Sequence, residues 1–99
     1  MGVGAETLQS DIRLDKWLVY ARFCKTRSVA AALVANGIRI NGRKIEKPDT
    51  KLQTGDVLTL VSAGELRLIR VLLLAERRGS PQAAQEMYEY LPQSEPSLE

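Results

Sequence analysis

The chain has no histidine and a single cysteine, Cys24, among its 99 residues. Without histidine there is no imidazole for acid-base work and none to ligate a metal. A lone cysteine forms no intrachain disulfide and no cysteine-rich metal site, and nothing demands an oxidising compartment. Glycine-rich phosphate loops and dinucleotide fingerprints are missing too, and the carboxylates are scattered rather than paired. No apolar run approaches the roughly 20 residues of a membrane-spanning helix. The stretch from Met1 to Ser10 is small and polar, with no basic region leading into an apolar core. These absences argue against an enzyme, a cofactor or a membrane partner. They lead us to expect a soluble, cytoplasmic, single-domain protein that buries only about 60% or a little more of its unfolded surface.

What is present is an uneven distribution of charge. Between residues 11 and 51, Arg13, Lys16, Arg22, Lys25, Arg27, Arg39, Arg43, Lys44, Lys47 and Lys51 stand against Asp11, Asp15, Glu46 and Asp49, a local net charge of +6. The other residues carry −4, so the overall +2 conceals a strong polarity. Such a cluster attracts polyanions, because each neutralised phosphate releases counterions. An ordinary solvated basic face is the competing reading, and the order of the elements has to decide.

Leu14, Trp17, Leu18 and Ala21 recur at the spacing of a helix that buries one stripe, with Asp11 or Ser10 available as cap. Asp15 falls in its first turn, where a carboxylate serves structure rather than chemistry. Arg13, Lys16 and Tyr20 share another sector of the same helix. A second helix is expected from Arg27 to Asn36, capped by Thr26 and stopped by Gly37, with Val29, Ala30, Leu33 and Val34 as its apolar face. The short turn from Phe23 to Thr26 makes the helices neighbours, which brings Arg22, Lys25 and Arg27 to one edge beside Lys16. Arg22 and Arg27 are expected to be exposed there, and Ser28 adds a donor suited to phosphate. Cys24 at this corner is either a packing residue or, among basic neighbours, a reactive thiolate. Trp17 lies close to the buried stripe and reads as core, whereas Tyr20 beside Lys16 stays open between core and base stacking.

Beyond Gly37 the pattern is extended. Ile38 and Ile40 alternate with Arg39, and Asn41-Gly42 signals a two-residue hairpin turn back into Arg43 to Ile45. Lys47-Pro48 breaks the pairing, and Thr54-Gly55-Asp56 makes a turn. Strands are expected over 57–60 and 66–74, the latter placing Arg67 and Arg70 on opposite faces. Ser80-Pro81 announces a third helix running through Ala83, Ala84, Met87, Tyr88 and Leu91 to Pro92, its apolar stripe packed on the sheet or on helix one. Glu76-Arg77-Arg78-Gly79 before it is a solvated linker or a second contact for nucleic acid. The expected organisation is a flexible start over 1–10, a domain over 11–75, linker and helix over 76–91, and a frayed tail over 92–99.

Several of these segments together resemble a known family. Arg13-Leu14-Asp15-Lys16-Trp17-Leu18, Ala21-Arg22-Phe23, Lys25-Thr26-Arg27-Ser28, Gly37 with Ile38-Arg39-Ile40-Asn41-Gly42, then Lys47-Pro48 and Gly55-Asp56 resemble the RNA-binding domain named for ribosomal protein S4. Glu76-Arg77-Arg78-Gly79 and Glu86-Met87-Tyr88-Glu89 extend the likeness to the bacterial fifteen-kilodalton heat-shock protein family. The resemblance implies an α+β fold, a helix-turn-helix packed on a small, mostly antiparallel twisted sheet, with an added C-terminal helix. It also implies binding of structured RNA, ribosomal or transfer RNA, and association with the large ribosomal subunit, notably one left holding a nascent chain on transfer RNA. Contacts would fall on Arg13, Lys16, Arg22, Lys25, Thr26, Arg27 and Ser28, with Arg39, Asn41 and Lys44 from the hairpin. Best-known members continue into a long basic extension where this chain ends in acidic residues.

The residue types suit that role on physical grounds. A-form RNA hides its bases in a deep, narrow groove, so a rigid surface meets phosphates, 2′-hydroxyls and irregular loops. Arginine grips two phosphate oxygens with a planar fork and can stack on a base. Two short helices joined by a turn also suggest a DNA reader, or a protein-interaction module. The second helix, however, offers Ala and Val where a recognition helix would offer Arg, Asn or Gln. DNA is therefore expected to bind weakly at most, and the chain to act as a monomer. Among the ten cations, Arg43 and Lys51 read as solvated background.

Overall fold

The computed structural model describes residues 11–62, 64–75 and 79–92. The expected flexible start, the Ser10 cap, the charged residues 76–78 and the tail from 93 onwards lie outside them. A two-residue strand β1 (Ile12–Arg13) leads directly into helix α1 (Leu14–Tyr20). No side chain caps α1; Arg13 occupies the cap position, so the expected Asp11 cap is not used. The first free amides of α1 are met instead by backbone, Leu14 N–H donating to Thr50 O at 2.9 Å and Asp15 N–H to Pro48 O at 3.0 Å. The loop carrying Pro48 is thereby tied to the helix start. At the other end Phe23 and Cys24 both donate to Leu18 O, and Arg22 takes the left-handed conformation (φ 66) that a helix-ending residue needs. Helix α2 (Arg27–Gly37) follows the sequence closely: Thr26 Oγ1 accepts from Val29 N–H at 3.2 Å, and Gly37 (φ 116) turns the chain out of the helix.

The sheet explains why the next residues alternate. Strands β2 (Ile38–Ile40) and β3 (Arg43–Ile45) form the hairpin, with both Asn41 (φ 54) and Gly42 (φ 83) left-handed, the geometry that matches strand twist. Asn41 is further fixed by its side chain, which donates to Asp56 and accepts from Val57 N–H. A short strand β4 (Lys51–Leu52) pairs with β1, apart from the main sheet. Strands β5 (Val57–Ser62), β6 (Glu65–Val71) and β7 (Tyr88–Leu91) complete an antiparallel sheet in the order β3-β2-β5-β6-β7. Ile38, Ile40, Ile45, Leu58, Leu60, Ile69 and Val71 all point to one face, where Leu14, Trp17, Leu18, Ala30 and Val34 close the core. Both helices lie on this face.

The C-terminal part departs from the sequence reading. The helix after Ser80 is a single short element, α3 (Pro81–Gln85), capped by Ser80 Oγ on Ala83 N–H. It does not continue to Leu91, because Tyr88–Leu91 is strand β7, paired with β6 from Val71↔Tyr88 to Leu68↔Leu91. Ala84, Met87, Tyr88 and Leu91 fit helical spacing, but Tyr-Glu-Tyr-Leu also alternates, and the open edge of β6 satisfies its backbone groups. The expected contact survives the change of element. Met87 is buried, and the Tyr88 ring meets Trp17 and Phe23 at centroid distances of 6.3 and 4.7 Å. Strand β6 likewise ends at Val71, since Leu72 N–H and Leu73 N–H turn to Met87 O. Val29, placed on the apolar face of α2 by periodicity, is instead 49% exposed, one step around from the buried pair Ala30 and Val34.

Candidate nucleic-acid interface

The basic corner is organised by a buried carboxylate. Asp15 is 3% exposed and takes two hydrogen bonds from Arg13, from Nε at 3.1 Å and Nη2 at 2.9 Å, while Arg27 Nε lies 3.5 Å from the same carboxylate. Burial pushes the Asp15 carboxyl up, but the Arg13 hydrogen bonds, the charges of Arg13 and Arg27 and the Lys16 N–H outweigh it and hold the group below its ordinary range. The role is structural: one carboxylate fixes the start of α1 against the start of α2. Because the folded state holds the proton less tightly than the unfolded one, this contribution is complete at neutral pH and fades as pH falls through the lowered value. Asp15→Asn is expected to cost about 2 kcal/mol at neutral pH, a typical loss for buried charged hydrogen bonds. Urea unfolding of both proteins across the acid range checks it, since the gap should narrow steadily as pH falls.

The remaining corner residues divide by what they already hold. Arg22 is exposed, as expected, but it is not idle: Nε and Nη2 both donate to Gly79 O, at 3.0 and 2.8 Å, clasping the chain just before α3. Thr26 is spent on the α2 cap. Lys16, Lys25 and Ser28 have no side-chain partner among the described residues, and Lys25 and Ser28 are exposed. Cys24 is buried, and burial pushes its thiol up, which supports packing over reactivity. Tyr20 is half-buried against the core, and Trp17 is fully buried.

The hairpin residues do not all join this corner. Arg39 pairs with Lys44 across the hairpin and with Thr59 on β5, so Arg39 and Lys44 stand on the sheet face turned away from the helices. Arg39 Nη1 donates to Gly42 O, and the Asn41 amide is committed to Asp56 and Val57. Arg43 lies opposite Ile40, whose side chain points to the helix side, and Lys51 lies opposite Arg13 in the β1–β4 pair. Arg43, discounted from sequence, therefore stands on the helix side, and Lys51, discounted with it, stands beside Arg13. Parity across a two-residue turn could have revealed this, because Ile40 and Arg43 must then be partners. As sequence alternation requires, Arg67 and Arg70 occupy opposite faces, each ion-paired, with Glu65 and Glu89. No cluster of three potential metal ligands occurs among the described residues, and none of their helices is long and apolar enough to cross a membrane.

A helix-turn-helix set on an antiparallel sheet, with a basic corner at the turn, defines an S4-type domain, and the S4 domain profile matches residues 12–58. The chain is 40% identical over 86 residues to a heat shock protein 15 homolog from Aeromonas salmonicida, a match covering 86% of this chain and 64% of that protein. It is 35% identical over 80 residues to heat shock protein 15 of Escherichia coli K12, covering 80% and 59%. A solved structure described as trimeric Vibrio cholerae heat shock protein 15 superposes with a TM-score of 0.76 at 33% identity, covering 82% of each chain. The chain belongs to the heat shock protein 15 family. It spans 64% or less of the length of these two sequence relatives. Small ribosomal subunit protein uS4 of Thermodesulfovibrio yellowstonii is 36% identical over 85 residues, 81% of this chain and 41% of that protein.

Proposed function

We propose that this chain binds structured RNA through the helix-side basic corner. The observation that carries the reading is the division of labour among its cations. Arg13, Arg22 and Arg27 hold the corner rigid through Asp15 and Gly79, while Lys16, Lys25 and Ser28 are left to meet phosphate. Each clasped arginine still keeps nitrogen donors beyond those bonded, so a phosphate can be added without dismantling the corner. Thr26 sits beside them, Arg39 and Lys44 would give a second contact from the far face of the hairpin, and Asn41 would add one from its turn. A surface fixed before binding loses less entropy on docking. Residues 11–75 form the binding unit in this reading, with β7 closing its sheet. The outer positions of α2, among them Val29 and Ala32, offer nothing to base edges, which argues against a DNA reader.

The finer reading is association with the large ribosomal subunit, including one stalled with a nascent chain on transfer RNA, in the cytoplasm and as a monomer. Kinship to a ribosomal protein supports association with the ribosome; the subunit, the transfer RNA and the monomer are tested below. The purified protein should bind a structured RNA more tightly than duplex DNA of equal length. The logarithm of affinity should fall linearly with that of salt, by roughly 0.7 to 0.9 per phosphate contacted. Equal affinity for both, or indifference to salt, would defeat the reading. Sedimentation of lysate should place the protein with free large subunits, and recovery with small subunits alone would remove the finer claim. Light scattering would separate a monomer from the trimer described for the Vibrio cholerae relative.

A further inference from the structure

A cleft of about 250 Å³ opens beside the hairpin, lined by Ile40, Asn41, Arg43, Ile45, Thr50 and Lys51. Its floor is apolar: Ile40 and Ile45 are each 9% exposed, the most accessible members of the core. Its rim is cationic, and no carboxylate of the described residues lines it. Arg43 has no side-chain partner among the described residues, and Lys51 Nζ is held only at 3.9 Å from Asp11, with its side chain 65% exposed. The walls are fixed in advance. Asn41 is bonded to Asp56 and Val57, and Thr50 Oγ1 donates to Lys47 O at 2.7 Å. Because Lys51 is the cross-strand partner of Arg13, the cleft continues the basic corner rather than standing apart from it.

An apolar floor between two available cations fits a ligand that is flat and apolar in the middle and anionic on both sides. A free phosphate would leave the isoleucines unused, and a stacked base pair cannot reach them. An unpaired nucleotide satisfies both requirements, its base on Ile40 and Ile45 and its flanking phosphates at Arg43 and Lys51. We infer that this cleft seats one unstacked nucleotide of the bound RNA, so that the preferred RNA carries a bulge or loop within reach of the helix corner. The inference rests on the RNA-binding reading and adds the kind of RNA preferred. It also gives a function to two cations that composition alone treats as background.

The test uses two RNA stem-loops of the same stem, one fully paired and one with a single bulged adenine replaced by 2-aminopurine. The whole chain should bind the bulged RNA about tenfold more tightly, a modest return for one seated base. The 2-aminopurine emission should change on binding. Arg43→Glu with Lys51→Glu should lose most of that preference and the emission change, while affinity for the paired stem falls far less. Thr50→Met, which fills the cleft without altering charge, should lose the preference and leave the paired stem unaffected, with thermal unfolding confirming that it folds. Should Thr50→Met not fold, the charge variant, at exposed positions, decides alone. Equal loss on both RNAs would make Arg43 and Lys51 part of a general electrostatic surface and overturn the inference. Binding of wild type to both RNAs without preference would also overturn it and leave RNA binding intact. Failure to bind either RNA would remove the functional reading itself, and the inference with it.

Discussion

Trp17→Ala should destabilise the folded state by about 3 to 5 kcal/mol, the usual cost of truncating a buried aromatic. Trp17 is fully buried, its Nε1–H donates to Leu73 O at 2.9 Å, and its ring meets both Phe23 and Tyr88. It therefore joins α1, the corner after it, the segment following β6 and strand β7, and its loss opens a cavity at their common junction. Total stability of a domain is about 5 to 15 kcal/mol, so the variant should lie near its unfolding threshold. Trp17→Phe separates the contributions. It keeps most of the ring packing but leaves Leu73 O without its donor, and about 1 to 3 kcal/mol should be lost. Urea unfolding followed by circular dichroism measures both, since the tryptophan signal is gone. A loss under about 1.5 kcal/mol for the alanine variant would mean that the junction closes around the gap and that β7 is not anchored through this ring.

Lys16→Glu combined with Lys25→Glu should weaken binding of structured RNA by at least about a hundredfold at low salt, since two contacts are not merely removed but reversed. The slope of log affinity against log salt should fall by about 2 in magnitude if each lysine meets one phosphate. Thermal unfolding should scarcely move, because neither side chain has a partner among the described residues. Arg22→Glu makes the informative contrast. It reverses a charge at the same corner and also breaks two hydrogen bonds to Gly79 O, so binding and stability should drop together. A double lysine variant that binds like wild type would move the interface away from α1 and the interhelical turn.

These contrasts follow from differences that sequence could not display. Thr26 as cap, Gly37 as terminator and Asn41-Gly42 as hairpin turn were legible because each depends on local backbone geometry, which the residue itself imposes. The S4-type pattern was legible for the same reason, being a string of such local requirements at set intervals. Tyr88–Leu91 was not, since its residues suit helix and strand alike, and only the unpaired edge of β6 settles the matter. Nor could charge counting separate Arg13 from Lys16, or Arg22 from Lys25. An arginine whose donors are taken by Asp15 or Gly79 O has the same formal charge as a lysine with none.

The amino-acid sequence by itself determined helix α2 with its Thr26 cap and Gly37 stop, the hairpin and the concentration of positive charge on one stretch of chain, because these depend on neighbours within a few residues. Tertiary structure alone decided which cations are structural and which are available, that Lys51 stands beside Arg13, and that the C-terminal stripe is a strand. Those outcomes depend on hydrogen-bond partners and sheet edges brought together from distant parts of the chain, such as Trp17 with Leu73 and Arg22 with Gly79.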